Sequence, residues 1–408
     1  MGRRRFLSSV LVGGLFLAGL RLGEYDRLLD PLLGRPRLPD RRPQRARFFT
    51  TIVLSRLIDY HRRATGRRPR PEAVLGRLLD LPFKGYRFGV PIAAAEEADG
   101  FRQPDAVVNA ALSRGKEVYL SVGLKLPGYP EFYPPRGLEL PRFGPFRPGP
   151  GETERVLRAV EAILRRYGKV GSWVFVENEA LDPVMYDGLF RYLHPDYLVE
   201  VSNHVRGLLG PDQLLVLTTF VPSAWFLRLL DQLRETVPWR FLARWAVGPW
   251  WMFPSRRTLF EAADLLGLHL YKKVVQPTLW GEFPVNAAHP RDYNTLDILR
   301  LEMQRRGKGV IISELQGSPW EPEVWAKFHA GHKFSFTPED IGDLVQVVLS
   351  HGITQIGMWD VDFWLAAEAA GDPSWLRAGL EVIAGYAEPP PSAARPDRQP
   401  GTTDATSI

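Results

Sequence analysis

Eight short apolar runs punctuate the chain: FFTTIVLS (48–55), GYRFGVPI (85–92), EVYLSVGL (117–124), SWVFVENE (172–179), QLLVLTTF (213–220), LLGLHLY (265–271), GVIISE (309–314) and ITQIGMWD (353–360). Each is rich in leucine or β-branched residues and apolar at consecutive positions, the pattern of parallel strands buried on both faces. Between them the apolar residues switch to helical spacing. Val156, Leu157, Val160, Ile163, Leu164 and Tyr167 share one helix face, and Ile341, Leu344, Val345 and Val348 share another. Eight strand–helix alternations predict an α/β fold, a single (β/α)8 (TIM) barrel over residues 47–387. An open doubly wound sheet would use six of the runs about as well. There is no internal repeat and no Walker or dinucleotide glycine fingerprint.

The flanks read differently. GRRRFLSS followed by the uncharged stretch Phe6–Leu20 has the form of a basic n-region and an apolar h-region. Arg3-Arg4-Arg5-Phe6-Leu7 resembles a twin-arginine export signal. The stretch is shorter than the ~20 apolar residues of a spanning helix, and no clean A-x-A cleavage site follows it. Residues 1–22 are therefore expected to be an export signal or a membrane anchor, and the protein to be exported, secreted or membrane-anchored. Residues 23–46 form an Arg/Pro-rich spacer that could also touch anionic lipid, giving membrane association through the N-terminus. Residues 388–408 carry almost no apolar side chains and are expected to be a disordered tail.

Charge changes the picture only once it is divided. The net charge of the 408 residues is +6, but residues 1–47 hold 11 Arg against 4 acids, leaving 41 basic and 42 acidic residues elsewhere. A nearly neutral body argues against nucleic acid as partner. The absence of cysteine excludes disulfides, thiolate metal sites and a cysteine nucleophile. There is no G-x-S-x-G elbow for serine chemistry, and His329 and His332 lack an acidic third ligand nearby in sequence. No metal and no organic cofactor is expected.

In a barrel the reactive groups stand at the C-terminal ends of strands. The fourth run ends in Asn178-Glu179 and the seventh in Glu314, so two carboxylates far apart in sequence would meet in one mouth. Either glutamate alone could be an exposed loop residue or a strand-end salt bridge. A pair is what glycoside hydrolysis requires, one as acid and one as nucleophile. On these residues the sequence resembles clan A of the retaining glycoside hydrolases, which includes the family 5 cellulases, over nearly the whole barrel. The resemblance makes Glu179 the acid/base and Glu314 the nucleophile. It adds Arg87 on the second strand, Asn178, the His-x-Tyr pair His269 and Tyr271 after the sixth, and Trp359 as an aromatic floor. GLKLPGYPEFYPP (123–135) and the D-x-x-x-W of Asp360 to Trp364 are also similar to a poorly characterised cellulase-like bacterial group.

What the resemblance implies is a β-linked oligo- or polysaccharide substrate, Asn178 on the sugar 2-hydroxyl, and His269 orienting Tyr271 or the nucleophile. Arg87 and Tyr271 are expected to lower the pKa of Glu314, and the charge of Glu314 to raise that of Glu179. There are two departures: Gly123 and Lys125 stand where family 5 carries a strand-three histidine, and, a minor change, Ala180 stands where it often has proline. The first puts cellulose itself in question. Lys125, Tyr129, Glu131 and Tyr133 would line the rim, and Trp250 and Trp251, in the Trp-rich stretch 237–255, would form platforms for sugar faces. That stretch could equally be outer packing or a membrane-facing surface. The alternatives to a hydrolase are a catalytically weak carbohydrate-binding barrel or a cell-envelope scaffold.

Overall fold

The computed structural model describes residues 44–128, 131–182, 190–220, 258–278, 281–286 and 294–388. The export segment, most of the spacer and all but the first residue of the expected tail lie outside the described residues. Among the described residues no helix is long and apolar enough to cross a membrane.

All eight runs become strands of one closed parallel barrel: β1 (Arg47–Ile52), β2 (Gly85–Gly89), β3 (Glu117–Val122), β4 (Trp173–Val176), β5 (Leu214–Phe220), β6 (Leu265–Leu270), β7 (Gly309–Leu315) and β8 (Gln355–Met358). Every strand pairs with its neighbours in sequence, and β8 closes on β1 with Phe48 beside Ile356 and Thr50 beside Met358. The two helical faces read from the sequence lie in the helices Pro150–Tyr167 and Pro338–Ser350. Each begins with proline at its first turn, where no backbone N–H is needed. Asp340 accepts the Thr337 N–H at 2.8 Å and caps the second of them. Their buried stripes, such as Val156, Val160, Ile163 and Ile341, Leu344, Val348, join the main hydrophobic core around the barrel.

Two small pairings were not foreseen. Phe143–Phe146 runs parallel to Phe190–Leu193, and Lys273–Thr278 forms an antiparallel hairpin with Gly281–Asn286. Both sit in segments without a sustained apolar period.

The barrel interior is layered. Phe49, Tyr119, Trp173, Phe175, Val216 and Ile311 fill a lower apolar layer, with Tyr119 and Trp173 stacked at 4.5 Å between ring centroids. Room for these rings comes from glycine: a Cβ at Gly85 would stand 2.6 Å from Tyr119, and one at Gly357 2.6 Å from the Phe49 ring. Because side chains alternate along a strand, the next inward position is two residues on. From Gly85, Tyr119, Val216 and Gly267 that step reaches Arg87, Ser121, Thr218 and His269, all buried. An apolar plug thus carries a buried polar layer at the C-terminal mouth.

Candidate active site

β4 stops at Val176, three residues short of Glu179, because the chain turns sharply there. Glu177 and Glu179 adopt left-handed conformations with φ of 53° and 48°, costly for residues with a Cβ and held only where surroundings fix them. The Glu177 carboxylate accepts the backbone N–H of Leu124 at 2.9 Å and of Lys125 at 2.7 Å, and the Tyr197 hydroxyl at 2.8 Å. The Asn178 N–H donates to Lys125 O at 2.6 Å, and the Glu179 N–H to Thr218 Oγ1 at 2.7 Å. Gly123 makes the arrangement possible: its φ is 122°, and a Cβ there would lie 2.4 Å from the Glu177 carboxyl group. The ordinary alternation of β4 therefore gives way to a pinned turn that delivers Asn178 and Glu179 to the mouth.

Glu314 arrives by a different device. Ile311 belongs to the inner layer, so alternation alone would point Ser313 inward and Glu314 outward. The register against β6 slips between Ile312 and Glu314, placing Glu314 opposite His269. This bulge re-aims the carboxylate into the mouth, a use to which bulges beside reactive sites are often put. There Arg87 Nη1 donates to Glu314 Oε1 at 3.0 Å and the Tyr271 hydroxyl donates to Oε2 at 2.9 Å. Arg87, wholly buried over the Phe175 ring, also gives Nη2 to Asn178 Oδ1 at 2.7 Å and Nε to Ser121 Oγ at 2.9 Å.

The two glutamates meet across His269. Carboxylate oxygens of Glu179 and Glu314 and a ring nitrogen of His269 all lie within 4.8 Å of one another. His269 Nδ1 touches Glu179 Oε1 and stands 3.3 Å from Glu314 Oε2. Lys125 Nζ lies 3.8 Å from Glu179 Oε2. A cation placed among these residues would face the charges of Arg87 and Lys125, so the group reads as an acid–base set rather than as metal ligands.

Burial governs the proton affinities. It pushes Glu179 up to about 7 against the pull of Lys125, with Asp182 adding to the rise and Arg87 opposing it. Glu314 is raised as well, burial outweighing His269, Arg87 and the Tyr271 hydroxyl. The sequence-based expectation of a lowered Glu314 is thus corrected: its donors restrain the rise without reversing it. Burial is the largest cause of the rise at Glu179, and the mutual repulsion of the two carboxylates is among the causes that raise Glu314. His269 falls to about 4, chiefly through burial, and is neutral near pH 7.

Outside this buried set a cleft of about 840 Å3 opens. Its floor includes Trp359, braced by Arg56, whose guanidinium lies 4.7 Å from the ring centroid and pairs with Asp360. Trp320, 44% exposed, stacks on Tyr271 at 4.7 Å and lines the same cleft. Of the residues expected from sequence, Arg87, Lys125, Asn178, Glu179, His269, Tyr271, Glu314 and Trp359 come together; Trp250, Trp251 and Tyr129 lie outside the described residues. Trp364, which ends the D-x-x-x-W stretch, is a core side chain whose Nε1 donates to Gly317 O at 2.6 Å. Sequence reasoning missed Glu177, Thr218 and Trp320. Glu177 alone carried a signal, as the first charged residue of the fourth run, directly after its apolar part WVFV.

No family model matches the sequence, and no curated protein matches it. Solved structures similar to it include a GH5_18 protein from Streptomyces cattleya in complex with GlcNAc (11% identity, TM-score 0.50, covering 85% of this chain and 81% of that one). They also include the exo-β-1,4-mannosidase Op5Man5 from Opitutaceae bacterium strain TAV5 (14%, 0.48, 84% and 60%). A third is a family 39 glycoside hydrolase from Bacteroides cellulosilyticus WH2 (14%, 0.46, 83% and 63%). The chain spans less than two thirds of the length of the last two. At such identities the likeness is one of fold.

Proposed function

We propose that the protein is an exported retaining glycoside hydrolase that cleaves β-glycosidic bonds of an oligo- or polysaccharide. The observation that carries this reading is the pair of buried carboxylates after β4 and in β7, with oxygens within 4.8 Å of each other. Retaining enzymes hold their carboxyl groups about 5–5.5 Å apart, whereas inverting ones leave about 6.5–9.5 Å for a water. The fold likeness to the GH5_18 protein crystallised with GlcNAc supports a carbohydrate occupant.

The roles follow from the partners. Glu314, fixed by Arg87 and Tyr271, attacks the anomeric carbon as its bond to the leaving oxygen breaks, and that oxygen takes the proton of Glu179. Glu314 is then an ester and uncharged. Water next attacks the same carbon, gives its proton to Glu179, and Glu314 leaves as carboxylate. Asn178, oriented by Arg87, is placed to bond a hydroxyl of the reacting sugar. The test is the first-formed product from an activated aryl β-glycoside, followed by proton NMR: a β-anomer agrees, and an α-anomer overturns the retaining assignment.

The pH profile should be bell-shaped. Activity requires Glu179 protonated and Glu314 ionised, so kcat/KM should fall as pH rises through about 7, where Glu179 loses its proton, and fall again in acid as Glu314 gains one. A dinitrophenyl leaving group needs no proton; with it the alkaline limb of the glycosylation step should flatten. A limb that is the same for good and poor leaving groups would remove Glu179 from the acid role.

Trp320 offers its exposed face beside Tyr271. Trp320→Ala should raise KM for oligosaccharides by roughly 5–10-fold, the worth of about one aromatic stacking contact, while changing KM for a small aryl glycoside much less. Equal changes on both substrates would place Trp320 outside the sugar-binding surface.

A further inference from the structure

Lys125 is a fully buried lysine whose ammonium has three N–H groups to give. Among the described residues two are spent on backbone: Nζ donates to Glu179 O at 2.8 Å and to Asp182 O at 3.0 Å. Two carboxylates remain within reach, Glu131 Oε2 at 3.3 Å and Glu179 Oε2 at 3.8 Å. Glu131 is held for this contact at a conformational cost. Its φ is 64°, and the turn is closed by Glu131 N–H to Gly128 O at 2.7 Å and Leu126 N–H to Glu131 O at 2.8 Å.

We propose that Glu131 and Glu179 share the one remaining N–H of Lys125, making Glu131 a positioning residue that governs how firmly the acid/base holds its proton. The inference rests on the acid/base reading of Glu179. When Glu131 is ionised it draws the ammonium and repels a charge on Glu179, so Glu179 keeps its proton for the leaving group. When Glu179 has given that proton up, Lys125 stabilises its carboxylate and Glu131 is the neighbour that can take a proton from solvent. The two carboxyl groups titrate as a pair rather than singly. In agreement, burial lifts Glu131 up to about 7, with Lys125 opposing and Glu179 and Asp182 adding to the rise. The other groups facing the acid/base are Asp182 on its own turn, Arg87 on β2, His269 and Tyr271 at the end of β6, and Glu314 on β7. None of these contacts Glu131 within an ion-pair distance among the described residues.

The test is a carboxyl-13C NMR titration of the full chain labelled at glutamate, with Glu179 assigned from the resonance missing in Glu179→Gln. Glu131→Gln keeps an oxygen for Lys125 but removes the competing charge, so the Glu179 midpoint should fall by about one pH unit. The alkaline limb of kcat/KM should move with it. Lys125→Met, checked for folding by its melting curve, should move the midpoint the opposite way. A midpoint unmoved or raised in Glu131→Gln overturns the proposal. Because the titration needs no turnover, an inactive chain that shows the shift would overturn the hydrolase reading and leave the coupling standing.

Discussion

Glu314→Gly should abolish hydrolysis of aryl β-glycosides, lowering kcat by about 10^4-fold or more, because it removes the carboxylate that Arg87 and Tyr271 hold for attack. The cavity it leaves lies under Arg87 and Tyr271, whose donors lose their acceptor at 3.0 and 2.9 Å. An external azide can enter that space and displace the leaving group in a single step. The product would then be the α-glycosyl azide, inverted relative to substrate. Glu179→Ala should give a different signature: the glycosyl–enzyme still forms from a good leaving group, azide intercepts it, and the product is the β-azide. Chromatography and proton NMR of the two azides read the result. Exchange of the two stereochemical outcomes would swap the roles, and absence of rescue in both variants would leave the pair without a hydrolytic function.

Arg87→Met should be costly to both fold and function. The guanidinium holds Glu314, Asn178 and Ser121 at 3.0, 2.7 and 2.9 Å. Among the described residues, removing it leaves the buried Glu314 carboxylate without its cationic partner and with only the Tyr271 hydroxyl donating at 2.9 Å, and Asn178 Oδ1 with only the Thr218 hydroxyl at 3.3 Å, a change that costs about 3–5 kcal/mol in buried pairs. Glu314 would then hold its proton more tightly, so the acidic limb of kcat/KM should shift upward in pH, and kcat/KM should fall by roughly 10^2-fold or more. Arg87→Lys keeps the charge but not the planar fork that bridges β7 and the turn after β4, and should recover only part of either loss. Thermal melting and pH–rate profiles check the two halves separately. A variant melting with the parent would mean that the polar layer is held elsewhere.

The barrel was legible in the sequence because strands buried on both faces leave short apolar runs such as VYLSV or VIIS, eight of them alternating with segments of helical spacing. The carboxylates were legible because polar residues ending such runs must lie at the mouth. The way each glutamate is aimed was not legible. Alternation counted from Ile311 sends Glu314 outward, and only the slipped register against β6 reverses it. Glu179 depends on a left-handed turn whose supports, Thr218 and the backbone of Leu124 and Lys125, lie some 40–50 residues away in sequence. Trp320 sits in a loop with no period to reveal it, and the parallel pair of Phe143–Phe146 with Phe190–Leu193 joins segments too short for a pattern. The direction of the Glu314 shift was misjudged for one reason: residue types suggest charges, but how deeply they are sealed from water is a property of the folded barrel.

The carboxylate of Glu177, sealed beneath the turn, has a consequence for how this scaffold can change. By accepting two backbone donors from the segment after β3 and a third, the Tyr197 hydroxyl, from the helix Pro195–Arg206, it ties the turn that carries Glu179 to Lys125 and to that helix as one module, set when the chain folds. Loops elsewhere on the rim can then lengthen, shorten or change composition without disturbing the alignment of the reacting groups. If Glu179 and Glu314 are the reacting pair proposed above, such a separation would let new substrate preferences arise on an unchanged chemical centre.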